Sequence, residues 1–346
     1  MSKKRFLISI VTLLLVLSMI VGCGTTNVGE QQDTANNVAE PVNGKENSKD
    51  PLEGKKDSIT VAIPADVPTL FQWGTESSVA LSILNNMMDP LFRIDPRDGS
   101  FYGWLAEEWK ISDDGTEVKV KLHEGVKFSN GDLLTSEDVK WTLETAKSEP
   151  FCARWVTAFE GIEVIDDYNF IMKFEYYFPN MLKNFSTYNM NIMPAKYFQE
   201  VGREAYAENP IGSGPFIVEK VIPGDRIIFK ANKEYFRGAP SYETLIVKIM
   251  QDNNSALMAL EAGDVDVVHD LKPNFKSTVE SNEDLKWEEN ISTVYVFMQL
   301  NNQKEPLNDP RVRRALNIAI NRDQIQQVAL NGGGLMAPYG ISPYSS

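Results

Sequence analysis

Residues 108–144 read EWKISDDGTEVKVKLHEGVKFSNGDLLTSEDVKWTLE and carry two folding instructions in succession. In the first half, Val118, Val120 and Leu122 alternate with Lys119 and Lys121, the period of a strand with one buried and one wet face. Asp114 and Gly115 ahead of them tolerate the positive φ that a hairpin turn demands. In the second half, Thr135 stands three residues before Asp138, a capping box with Asp in the place of Glu. Val139, Leu143 and Ala146 then supply the apolar stripe of a helix. A hairpin that feeds into an amphipathic helix predicts a mixed α/β chain.

The same alternation of elements extends in both directions. Upstream, residues 58–63 read as a strand that Pro64 and Pro68 force into an extended exit, and residues 77–88 read as a helix with Leu81, Leu84, Met87 and Met88 on one side, stopping before Asp89-Pro90. Downstream, strands are predicted at 162–165, 170–174, 216–221 and 226–230. NNSALMALEAG is a helix ended by Gly263, and it feeds a strand at 265–268. In NDPRVRRALNIAINRDQI, Asp309 is the N-cap, Pro310 the first helical residue, and Val312, Ala315, Leu316, Ala319 and Ile320 the apolar face. Strands and helices interleave without a fixed repeat, which predicts an α/β fold of at least two lobes.

The first 57 residues are of another kind. Lys3, Lys4 and Arg5 precede the apolar run 6–21, the pattern of an export signal. A membrane-spanning helix is the competing reading, but the run falls short of the roughly 20 residues that a span needs. Ile20-Val21-Gly22-Cys23 resembles the lipobox of bacterial lipoproteins, with Ile20 in place of the usual leucine, and the resemblance implies cleavage before Cys23 and a diacylglycerol on its thiol. Residues 24–57 contain no aromatic residue and are rich in Asn, Gly, Glu, Lys and Pro, the composition of a disordered tether. The expected location is extracytoplasmic, lipid-anchored to the cell membrane.

Composition narrows the function. The net charge of −14 falls to −17 once the cations of the leader are removed, a surface that repels nucleic acid and anionic headgroups. Cys152 is the only other thiol, so no disulfide framework is available. No HExxH, CxxC or GxSxG occurs, and the two histidines, His123 and His269, stand alone. Ser213, between Gly212 and Gly214, lacks a base and reads as a tight turn before a strand. Asp264, Asp266 and Asp270 lack calcium-loop spacing and read as a solvated edge. Arg311, Arg313 and Arg314 could clamp a carboxylate or form a solvated helix face. Cys152 reads as a buried small hydrophobe. Neither an enzyme nor a cofactor is predicted.

Residues 87–144, with the completed LAEEWKISDDG hairpin and the LHEGVKFSNGDLLTSEDV helix start, resemble the signature region of family 5 extracellular solute-binding proteins, the peptide and nickel binders of ABC importers. The likeness continues through PIGSGPFIVEKVIPGDRIIFKANKEYFRGAP, ALMALEAGDVDVV and VYVFMQLNNQKEPLNDPRVRRALNIAINRDQI, over roughly 59–334. It implies a two-lobed clamshell of the type II periplasmic-binding-protein kind: residues 58–90 plus 205–270 as the first lobe, 91–204 as its subdomain, and 271–346 as the start of a second lobe. Members usually continue further, so the resemblance implies that the second lobe is incomplete here and its hydrophobic face uncovered.

The implied function is capture of oligopeptides in the interlobe cleft for delivery to an ABC permease and its ATPase subunits, by a monomer. Nickel, haem or an oligosaccharide on the same scaffold, a non-functional fragment, a signalling receptor and a lipid-anchored hydrolase are the alternatives. By the resemblance, Thr69, Leu70, Phe71 and Trp73 line the cleft from the loop after the first strand, with TLFQWG in place of the commoner TLDP, and Tyr295, Phe297 and Asn301 line it from the second lobe. For each of these, core packing is the competing role.

Overall fold

The computed structural model describes residues 57–95, 99–178, 181–289, 297–330, 332 and 333. Cys23 with its leader and tether, and Tyr295, lie outside the described residues.

Two sheets organise the chain. The larger has five strands, among them β1 (Ser58–Ile63), which lies between β10 (Thr244–Ile249) and β11 (Val267–Val268) and runs parallel to both. The helix α4 (Asn253–Glu261) connects β10 to β11 across β1, because parallel neighbours need a crossover rather than a tight turn. Asp252 caps α4 through the Ser255 amide, and Gly263, at φ +76°, ends it as its sequence predicts. On the other side of β10 the sheet turns antiparallel through β9 (Arg226–Ala231) and β8 (Phe216–Ile222), a hairpin closed at Gly224, φ +72°. The strand predicted at 265–268 pairs only over its last two residues.

The second sheet is antiparallel, in the order β4 (Ala106–Ile111), β5 (Glu117–Leu122), β7 (Asn169–Phe174), β6 (Phe159–Val164). Val118, Val120 and Leu122 are buried, as their alternation requires. Within the hairpin turn only Gly115 takes positive φ (+74°), while Asp114 serves by accepting hydrogen bonds from Ser112 Oγ and the Thr116 amide. α2 (Ser136–Ala146) packs on β6, with Val139, Leu143 and Ala146 inward. A small ribbon, β2 (Phe92–Ile94) with β3 (Phe101–Gly103), lies between the sheets in sequence.

One hydrophobic cluster joins both sheets, α1 (Ser78–Leu84) and α3 (Ala195–Glu208), running from Ile63 through Met88, Phe92, Phe170 and Tyr206 to Val247. The helix expected over 77–88 ends at Leu84, and Met87 and Met88 follow in a turn whose amides donate to Leu84 O. After β11 come α5 (Lys276–Glu280), α6 (Pro310–Ala319) and α7 (Arg322–Leu330). Asp309 caps α6 as predicted, but α6 and α7 bury no residue. The stripe at Val312, Ala315, Leu316, Ala319 and Ile320 is exposed or half-buried, because among the described residues no layer packs on it.

Candidate functional site

β1, β10 and β11 point the same way, so their carboxyl ends deliver the loops 64–77, 250–252 and 269–272 to one edge of the sheet. In open sheets with parallel strands, ligand crevices form at that edge, where chain directions diverge and leave backbone groups free. Backbone bonds stitch the edge together: Met250 N–H donates to Ile63 O at 2.8 Å and His269 N–H to Ala62 O at 2.9 Å. The Lys272 amide donates to Asn253 Oδ1 at 3.1 Å.

Within the loop after β1, the four predicted contacts divide. Thr69 is half-buried, and its Oγ1 accepts from the Phe71 amide at 3.1 Å. Leu70, Phe71 and Trp73 are turned into the core, each under 5% exposed. Phe71 and Trp73 meet edge to face, centroids 5.8 Å apart. Trp73 Nε1–H donates to Asn189 O at 3.0 Å, Gln72 Nε2 to Asn191 O at 2.8 Å, and Asn189 Nδ2 back to Gln72 O at 2.8 Å. A long loop so tied buries residues 70–73 and leaves Asp66, Pro68, Gly74 and Glu76 exposed. Asn301 is exposed and engaged with its own turn, Oδ1 accepting from Gln303 N–H at 3.1 Å, and Phe297 is exposed as well.

Sequence reasoning missed a polar knot at the opposite edge of the sheet, where β8 begins and β9 ends. Asp89 is fully buried: Oδ1 accepts from Trp104 Nε1–H at 2.7 Å, Tyr235 O–H at 3.1 Å and Arg93 at 3.4 Å, and Oδ2 accepts from Ser213 O–H at 3.0 Å. Burial pushes its carboxyl above the ordinary range, against the pull of Trp104, Arg93, Ser213 and Tyr235. Arg93 and Arg237 cover Trp104, 3.8 and 4.0 Å from its ring centroid. The one signal in the sequence was an acidic residue placed between the apolar runs MM and PLF.

Ser213 is thus a structural donor. The chain bends at 213–215 before β8, and the glycines beside Ser213 are not there for positive φ, which neither adopts. They are glycines because Met87 passes so close that a Cβ at Gly212 would lie 1.9 Å from its carbonyl oxygen.

Other chemistry-bearing residues have local tasks. His123 packs against Phe236 with the rings tilted, centroids 5.5 Å apart, and His269 is exposed at the carboxyl edge. Asp266 Oδ2 accepts from Thr60 N–H at 2.8 Å. Arg311 pairs with Asp309 at 2.6 Å, and Arg313 donates to the carbonyls of Leu307 and Asn308. Cys152 is buried, and burial pushes its thiol up to about 12. Among the described residues, no three His, Cys, Asp or Glu side chains are grouped to hold a metal, and no helix is long and apolar enough to cross a membrane.

Comparison with known proteins places this architecture. The chain is 27% identical to the oligopeptide-binding protein AppA of Bacillus subtilis over 354 residues, 100% of this chain and 62% of AppA. It is also 27% identical to a probable di/tripeptide-binding protein of Pseudomonas aeruginosa, over 74% of this chain and 53% of that protein. The fold superposes on AppA in complex with a nonapeptide with a TM-score of 0.73 at 28% identity, covering 83% of this chain and 58% of AppA. It superposes on NikZ from Campylobacter jejuni, bound to Ni(L-His), at 0.71 and 22% identity, a likeness of fold alone. The chain therefore spans between half and two thirds of the length of these relatives. The pattern described as "Bacterial extracellular solute-binding proteins, family 5 Middle" matches residues 100–346, and the chain belongs to that family of extracellular solute-binding proteins.

Proposed function

We propose that this chain belongs to an extracytoplasmic lipoprotein, anchored through Cys23, that captures oligopeptides between two lobes and delivers them to an ABC permease. The observation that carries the peptide reading is the shared fold with the nonapeptide complex over 83% of this chain. The lobes we propose are residues 58–90 plus 205–270 for the first, 91–204 for its subdomain and 271 onward for the second. In support, the five-stranded sheet draws only on 58–63 and 216–268, and the four-stranded sheet only on 106–174.

The geometry of the loop after β1 suits a ligand recognised by its backbone. Its large side chains face the core, so Thr69 and the exposed backbone at Asp66, Pro68 and Gly74 are what it offers, and main-chain pairing tolerates many peptide sequences. In this proposal Leu70, Phe71 and Trp73 act from behind the loop, and Tyr295 and Asn301 contribute from the second lobe. Closure of the lobes about a hinge would bury the peptide.

Calorimetry of the full-length protein with mixed-length peptides and, separately, with Ni(II) tests this. Peptide binding unaltered by His123→Ala and His269→Ala is expected. Binding of nickel alone, abolished by His269→Ala at the carboxyl edge, would overturn the peptide reading. Intact mass of the membrane-extracted protein tests the anchor, since a species that retains residues 1–22 without lipid excludes it.

A further inference from the structure

Phe71 sits in the middle of the loop after β1 and is held from several sides by one helix. Its ring stacks on Phe198 (centroids 5.9 Å apart, 24° between planes) and lies edge-on to Tyr206 at 6.0 Å, both from α3. Arg203, also from α3, places its guanidinium over the same ring, 5.0 Å from the centroid. That guanidinium also donates to Glu149 Oε1, whose side chain is 8% exposed while that of Arg203 is 48% exposed. A carboxylate so buried requires its cation, and Arg203 is the cation it has among the described residues.

The route of α3 makes this possible. Gly202 interrupts the helix with φ +80° and ψ 172°, a region open only to glycine, and the two halves on either side converge on Phe71 from Phe198 and from Arg203 with Tyr206. Glu149 follows α2, in the neighbouring segment that leads towards β6. One ion pair therefore ties the end of the α2 segment, the kinked helix and the loop after β1 to a single point.

We propose that Glu149 and Arg203 form a latch that sets the position of loop 67–73, and that both are positioning residues for the ligand that this loop contacts. The proposal rests on the reading of the loop as a ligand-facing element. Planarity matters to it: guanidinium can lie flat on Phe71 and still reach Glu149, whereas an ammonium group can satisfy only the carboxylate.

Two amides report on the latch without any ligand: Gly74 N–H, which donates to Phe71 O at 2.9 Å, and Phe71 N–H, which donates to Thr69 Oγ1. In the full-length protein, Arg203→Met and Glu149→Gln are each expected to speed hydrogen exchange at these amides about tenfold, with β5 and β7 unchanged. The double variant should match either single one, because the pair acts as a unit. Arg203→Lys should recover protection only in part. Peptide dissociation constants should rise by about the same factor.

Unchanged exchange at Phe71 and Gly74 in both single variants overturns the latch, as does loss of protection spread equally through β5 and β7. Faster loop exchange with unaltered peptide affinity overturns the positioning role. Failure of the unmodified protein to bind any peptide overturns the proposed function instead, and the exchange data still judge the latch.

Discussion

Gly212 and Gly125 show how differently one residue type is used. A Cβ at Gly212 meets the Met87 carbonyl oxygen at 1.9 Å, in a segment where Gly214 N–H donates to that same oxygen at 3.0 Å, so neither strand of chain can withdraw without losing the bond. Gly125 has φ +74° and open space around it. Gly212→Ala is expected to cost about 3 kcal/mol or more by forcing two backbones apart, and Gly125→Ala about 1 kcal/mol through backbone conformation alone. Urea unfolding of the two variants checks the ranking, and equal losses would refute it. The spacing of IGSGPF announces glycines but not their purpose, because the atom they make room for lies more than a hundred residues away in sequence.

Asp138 decides more than one element. Its Oδ2 accepts from Thr135 N–H at 2.9 Å, the part of the capping box that is legible in TSED, and the Thr135 hydroxyl donates to the same oxygen at 3.2 Å. Its Oδ1 accepts from Ala195 N–H at 2.9 Å and so caps α3 as well. Asp138→Ala is therefore expected to cost about 2 kcal/mol, roughly two caps' worth, and Thr135→Ala about 1 kcal/mol or less. Thermal unfolding that gives equal losses would show that the bond to Ala195 contributes nothing. The first cap is local and lies in a four-residue pattern. The second joins positions 57 apart, and only the packing of α3 against α2 brings them together. The kink at Gly202 is likewise invisible in the sequence, since glycine inside a helical pattern signals a weak point and not a direction.

At the scale of the molecule, Asp89 draws together the exit of α1, Trp104 after β3, Ser213 before β8 and Tyr235 after β9. Burial holds its proton to higher pH than in the unfolded chain, where the ordinary value is 3.8. Below that value both states are protonated. As pH rises, the unfolded chain ionises first, so the stability this group contributes is complete at the acid end and is lost through the folded pKa. Relative to Asp89→Asn, the native protein should therefore weaken as pH rises from about 3 to 7. Surface pairs such as Glu107 with Lys121 titrate alike in both proteins and cancel in the difference. Urea midpoints for the two proteins test this, and a gap constant with pH or changing the other way refutes it.

The sequence by itself determined β1, the β4–β5 hairpin and β6 to β9, the helices α1, α2, α4 and α6 with the caps of α2 and α6, and the family, because alternation, helical spacing and capping are properties of neighbouring residues; it did not mark β10 or α3. It also named the loop after β1 as the place to look. Tertiary structure alone decided that Leu70, Phe71 and Trp73 face inward, that Gly212 and Gly214 admit Met87, and that Asp89 and Asp138 each serve several segments at once. Those outcomes depend on which surfaces meet when distant segments are buried together, and no local pattern records that meeting.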